Sequence, residues 1–226
     1  MESPKRAATH AANRERVKAV ARTQLGQRGA AGLSLREVAR EMDQTSSALY
    51  RYFASRDELL TALIVDAYND LGAAVERAES RIPREQRRDR WWSAFRAVRR
   101  WALRHPHEYA LLFGTPVPDY EAPEQTVAAA TRVTAVLATI VTDEYRAAPR
   151  TSEPIDRPSA FDWEAVEEFM PGVPTRVVGR ALMAWTQLFG AVSFELFGHY
   201  VGSVRRPAAM FDLMTAEMAD LVGLSA

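Results

Sequence analysis

Residues 34–53, SLREVAREMDQTSSALYRYF, gather the side chains with the most specific chemistry in the chain. The small hydroxyls Ser46 and Ser47, the phenol of Tyr50 and the guanidinium of Arg51 fall on one side of a helical repeat, and Leu49 and Phe53 on the other. No nucleophile stands here beside a base. Hydroxyl, phenol and guanidinium groups together suit an acceptor-rich surface such as base edges and phosphates. Small residues at the head of such a helix allow its backbone to approach closely.

Two short helices must hold those groups. The first spans 34–42, with Leu35, Val38, Ala39 and Met42 for burial, and Ala39 is small enough for another helix to cross. A break at Asp43-Gln44 follows, then a second helix from an N-cap at Thr45. Two short helices around a tight turn form a helix-turn-helix arrangement; a plain helical hairpin with a solvated face is the alternative. Ser34–Glu37 and Ser55–Glu58 both match the capping box and mark helix starts. Val17, Ala21 and Leu25 define an earlier helix over 14–28, ended by Gly29. Leu60, Ile64, Ala67, Leu71, Ala74 and Ala78 define a long one from 55 to about 81, interrupted at Pro83.

Further helices are expected over 85–104, 106–113, 124–146, 175–197 and 207–224, with proline-rich loops over 114–123 and 147–160. No alternating Val/Ile/Thr run signals a strand, so the fold class is all-α. The chain is electrically neutral overall, yet residues 1–56 hold 11 Lys+Arg against 5 Asp+Glu, and the remainder 18 against 24. A basic end on an acidic body directs only the first quarter toward a polyanion. The absence of cysteine excludes a disulfide framework and thiolate chemistry and fits a reducing compartment. Residues 1–30 lack a secretory apolar core, and the apolar run 181–197 contains Gln187 and Glu195. A cytoplasmic protein without a membrane role is expected.

The first helix, then LREVAREM, ALYRYF and SRDELL over residues 14–63 together resemble the tetracycline-repressor (TetR) family of bacterial transcription regulators. Asp43 and Gln44 stand where that family usually has glycine and valine; aspartate tolerates left-handed geometry, so the turn is expected to survive. The resemblance implies a DNA-binding domain over 1–56 and a ligand-binding and dimerisation domain over 57–226. It assigns Ser46, Ser47, Tyr50 and Arg36 to the major groove, and Thr45, Tyr52 and Arg56 to the DNA backbone; Arg51 suits either. It also implies a homodimer through the last two helices, whose second carries Met210, Leu213, Met214, Met218 and Leu221. The helix over 175–197 is apolar nearly all round and needs cover on every side.

Trp101, His105, Tyr109, Phe113, Trp185 and Phe189 are candidates to line a cavity for a small apolar or aromatic effector, although aromatic stripes are more often plain core. His105 and His107 straddle a proline-led helix start and need not converge, so no metal or other cofactor is expected. None of G-x-S-x-G, G-x-G-x-x-G, G-x-x-x-x-G-K-[ST] or H-E-x-x-H occurs. The expected function is a ligand-responsive repressor and not an enzyme. An all-α enzyme on a hydrophobic substrate would need a convergent acid/base pair, and an effector-free architectural DNA-binding protein would need a solid body.

Overall fold

A computed structural model of the chain describes residues 4–149 and 162–224. Its helices are α1 (Pro4–Arg28), α2 (Leu35–Glu41), α3 (Ser46–Leu49), α4 (Arg56–Glu79), α5 (Arg87–Arg104), α6 (Pro106–Phe113), α7 (Val127–Ala130), α8 (Arg132–Ala147), α9 (Trp163–Phe169), α10 (Thr175–Leu196) and α11 (Pro207–Leu221). No strand occurs among the described residues, so the fold is all-α. Most of the loop expected over 147–160 lies outside the described residues. The helices gather into two compact units, one of residues 1–69 with 105–130, the other of 70–104 with 131–226.

The first unit is organised by one apolar cluster. Val17, Ala21 and Leu25 of α1 meet Leu35, Val38 and Ala39 of α2, Leu49 and Phe53 at α3, and Leu59, Leu60 and Leu63 of α4. Gly29 ends α1 at φ 69, ψ 177, a positive-φ region costly for any residue with a Cβ. Pro106 opens α6 at its first helical position, where a missing N–H costs nothing.

Of the two capping boxes, the one at Ser34 does not form. The Ser34 side chain makes no cap bond; its amide lies 3.4 Å from Gln24 Oε1, and Glu37 pairs with Arg28 and Arg40. Gln24 takes the amide that the Glu37 carboxylate would have bonded, and Arg28 takes that carboxylate. At Ser55 the hydroxyl accepts from Glu58 N at 3.0 Å, while the Glu58 carboxylate accepts from Ala54 N at 2.7 Å, one residue before the expected partner. The helix expected over 124–146 is broken at Thr131, whose φ −84, ψ −8 stops the ladder between α7 and α8.

The second unit packs α5 against α8, α10 and α11. Trp91 is buried, its ring 4.4 Å from Phe95 and its Nε1 donating to Thr215 O at 3.2 Å. Buried Arg90 donates to Asp143 at 2.8 Å and to Glu79, and Arg84 reaches the same Asp143. Burial of Asp143 works to raise its pKa, but the bonds and charges of Arg84 and Arg90 outweigh it and hold the carboxyl below its ordinary value.

By length and composition α10 is able to cross a membrane, with mean hydropathy 1.2 over 18 residues, although its apolar run is interrupted by Gln187 and Glu195. It buries Val178, Ala184, Leu188, Ala191 and Val192, while Met183 is 60% and Phe194 51% exposed. On α11, Leu213 is 57% exposed. Met214, grouped with the interface residues on sequence, is instead buried in its own chain against Gln187.

Candidate nucleic-acid interface

The turn between α2 and α3 sets the geometry of the recognition segment. Asp43 adopts φ 53, the left-handed conformation expected of it. Gln44 N donates to Ala39 O at 2.9 Å and Asp43 N to Arg40 O at 3.2 Å, the paired bonds of a Schellman motif. Those bonds close α2 and release the chain into Thr45 at φ −75, ψ 148.

The second helix is much shorter than a repeat extending to Phe53 suggests. Regular α-helix covers Ser46–Leu49 and then passes into turns, with Tyr52 N and Phe53 N both bonded to Leu49 O. A single turn has no stability of its own. Leu49 and Phe53, both fully buried, anchor it to α1, α2 and α4. With those two side chains inward, Ser47, Tyr50 and Arg51 are exposed, Ser46 is half-buried, and Arg36 is exposed on α2. The Thr45 and Ser47 hydroxyls bond each other at 3.0 Å. The outward side chains form a face of hydroxyl, phenol and guanidinium groups able to read base edges and hold phosphates.

Two expected DNA-backbone residues also have partners within the unit. The Tyr52 hydroxyl accepts from Asn13 Nδ2 at 3.0 Å, its carbonyl accepts from Arg14, and its ring lies 5.0 Å from the His10 ring. Arg56 donates from Nε to Leu33 O at 3.1 Å and from Nη2 to Ala30 O at 3.0 Å, while Nη1 faces Asp57. That guanidinium clamps the chain between α1 and α2. His10, Asn13 and Arg14 went unnoticed on sequence, although His10, Asn13 and Val17 follow one helical stripe.

The six effector candidates divide between the units. His105, Tyr109 and Phe113 belong to the first; Tyr109 is fully buried, 4.9 Å from Phe113, and Phe113 meets Tyr68 edge-on at 6.0 Å. His105 Nδ1 is 3.9 Å from Glu108, whereas the His107 ring packs over Gly26. Trp101, Trp185 and Phe189 belong to the second unit. Trp101 is buried and donates to Asp70 at 2.7 Å, and Trp185 meets Phe189 edge-on at 5.7 Å.

Trp185 also lines a cavity of about 160 Å³ walled by α8, α9 and α10, with Trp91 from α5. Leu137 and Val141, Val166, Phe169 and Met170, and Val178 and Leu182 complete most of its wall, and Thr134 is the one hydroxyl. An engineered protein cavity of about 150 Å³ holds benzene, so this one has room for a small apolar molecule. Trp185 is the expected candidate on this wall, whose other residues are mostly aliphatic and carry no aromatic pattern to mark them. Among the described residues no three His, Asp or Glu side chains gather into a metal site.

Comparison with known proteins matches residues 19–63 to the profile described as "Bacterial regulatory proteins, tetR family" and residues 91–218 to "Tetracyclin repressor-like, C-terminal domain". The chain is 43% identical over 203 residues to the HTH-type transcriptional regulator Rv1816 of Mycobacterium tuberculosis, covering 86% of this chain and 85% of that protein. The crystal structure of SCO4313 superposes with a TM-score of 0.78 at 31% identity, covering 97% of this chain and all of the other. The TetR-family regulator PfmR of Thermus thermophilus shares the fold, with a TM-score of 0.58 at 16% identity over 93% of this chain and 99% of that one. Both halves of the chain therefore match one group of proteins, and the chain belongs to the TetR family of bacterial transcription regulators.

Proposed function

We propose that the chain is a homodimeric, ligand-responsive transcriptional repressor of the cytoplasm, released from its operator by a small apolar or aromatic effector. Residues 1–56 meet the operator, and residues 57–226 dimerise and sense. Arg36, Ser46, Ser47 and Tyr50 read bases, Thr45 and Arg51 hold phosphate, and Tyr52 and Arg56 act by fixing the recognition segment. The chain is not an enzyme in this reading.

The observation that carries the reading is the polar face around Tyr50, displayed by a one-turn helix whose other face is wholly buried. The cavity beside Trp185 supports the sensing role, since nearly all its lining is apolar. Met183, Phe194 and Leu213 support a second copy as the cover for α10 and α11, because exposed apolar clusters of that kind mark interaction surfaces. Effector occupancy shifts the population toward a state in which the two recognition segments of a dimer no longer match operator spacing. Helix α4 is one continuous helix whose first turn carries Arg56 and whose last turns lie in the second unit, and it transmits that shift.

The test uses the two tryptophans of the cavity, Trp91 and Trp185, as reporters. An effector drawn from a panel of small aromatic and aliphatic molecules quenches or shifts their fluorescence and releases the chain from its own promoter fragment. Ala138→Leu, which pushes a side chain into the cavity, abolishes both responses while DNA binding persists. Release that survives in a folded Ala138→Leu protein would overturn the cavity assignment, and absence of promoter binding would overturn the repressor reading.

A further inference from the structure

Helix α1 is longer than its core requires. It has 25 residues, yet its first fully buried side chain is Val17, and residues 5–12 are all exposed. An exposed helical extension gains little from propensity alone. Two of its side chains grip the recognition segment: His10 Nε2 is bonded to Arg51 O at 3.1 Å, and Asn13 Nδ2 to the Tyr52 hydroxyl at 3.0 Å. The extension and the end of the recognition segment therefore form one continuous surface.

The charges along α1 change character from one end to the other. Toward its C-terminal end, Arg14, Lys18, Arg22 and Arg28 are each paired with carboxylates, namely Glu58, Glu15 with Asp66, Asp66, and Glu37, while Arg16 is exposed and shares no ion pair among the described residues. Lys5 and Arg6 have no ion-pair partner among the described residues, and residues 4–14 contain no carboxylate. Arg6, His10 and Asn13 step by four and three, so they share a face. Arg6 thus lies one turn, about 6 Å along the axis, beyond the His10 contact with Arg51. A cation there continues the line of the exposed Arg51.

We infer that the N-terminal turns of α1 extend the DNA interface, with Arg6, assisted by Lys5, holding the sugar-phosphate backbone of the same duplex that the recognition segment reads. The inference rests on the DNA-binding reading above. His10 and Asn13 are positioning residues that fix the extension against Arg51 and Tyr52. Phosphate is the occupant that the chemistry favours, because two cations with no ion-pair partner among the described residues adjoin a face already suited to nucleic acid.

The experiment measures binding of the full-length chain to a mixed-sequence duplex about three helical turns long, by anisotropy across a salt series, so no operator sequence is needed. Removing one cation from a phosphate shallows the slope of log affinity against log salt by about 0.9, and lowers affinity about eightfold at roughly 0.1 M salt when the high-salt limit is unchanged. Arg6→Ala is expected to show this change for each protomer on the DNA, Lys5→Ala/Arg6→Ala a larger one, and Arg6→Lys close to none. His10→Ala is expected to weaken binding with a smaller change in slope. Arg205→Ala, exposed in the second unit, leaves the slope as in the wild type. A wild-type slope in Arg6→Ala, or an equal loss in Arg205→Ala, would overturn the inference while leaving the repressor reading intact. Failure of the wild-type chain to bind any duplex would overturn the DNA-binding reading instead.

Discussion

Arg56 separates two ways in which an arginine serves a DNA-binding head. As a phosphate anchor it would act through charge; as a brace it acts through the fork of its guanidinium. Two of its bonds, to Leu33 O at 3.1 Å and Ala30 O at 3.0 Å, have good geometry, and the 3.5 Å approach to Ala31 O is too long to count. Bonds from a charged donor contribute about 1.5–3 kcal/mol each, and partial exposure of the side chain places these at the lower end. Arg56→Ala should therefore destabilise the chain by about 3 kcal/mol. For a chain of this size that corresponds to a drop in melting temperature of about 6–12 °C. Amide exchange should accelerate first over residues 30–34, between α1 and α2. Arg56→Lys is the decisive companion, because one ammonium keeps the charge and cannot reach both carbonyls with fork geometry. Circular dichroism melts and salt-dependent duplex binding should show Arg56→Lys recovering less than half of the lost stability. Full recovery of operator affinity and salt slope by lysine, with no stability loss in Arg56→Ala, would refute the brace and restore a direct phosphate contact.

Removing Tyr50 or Arg36 side chains, both exposed, should weaken selected operator over mixed-sequence DNA by about 1–3 kcal/mol without changing stability, read by competition binding. Leu213→Arg should convert dimer to monomer in sedimentation and abolish tight operator binding while helicity persists, since it puts charge on the exposed face of α11. The lowered pKa of Asp143 contributes stability that is present above its ordinary value of about 3.9 and is lost as pH falls through the lower folded-state value. Urea midpoints should therefore fall steeply below about pH 4, and Asp143→Asn should be less stable at neutral pH with a shallower acid limb.

Local pattern announced the recognition head because burial there follows helical spacing within a few residues. Leu49 and Phe53 turn inward as their four-residue step requires, and the left-handed Asp43 sits where a short polar residue tolerates that geometry. Long-range competition was not legible. Ser34 and Glu37 have the spacing of a cap, but Gln24, brought in from α1, accepts from the Ser34 amide, and Arg28 of the same helix pairs with the Glu37 carboxylate. Arg56 was expected on the DNA backbone, and nothing in its local sequence signals the turn at Ala30 whose carbonyl it bonds. The cavity hid for a related reason: its walls are mostly ordinary aliphatic residues of α8, α9 and α10, and only packing leaves the space between them unfilled. Met214 and Leu213 are neighbours of like character on α11, and the packing of that helix decides which is buried.

The brevity of α3 limits how much information one head is able to extract from DNA. With a single helical turn and the residues just after it, the reading proposed above leaves few side chains for base edges: Ser46, Ser47 and Tyr50, joined by Arg36 from α2. Distinguishing four base pairs is worth two bits, so four readers obtain at most about eight bits. Locating one site among roughly 10⁶ competitors takes about twenty bits. In the proposed dimer two heads together reach about sixteen, and the remainder must come from DNA that bends or narrows readily where backbone contacts grip it. A reader with so small an alphabet accepts a set of related sequences, and the stiffness of the DNA between the half-sites then ranks them.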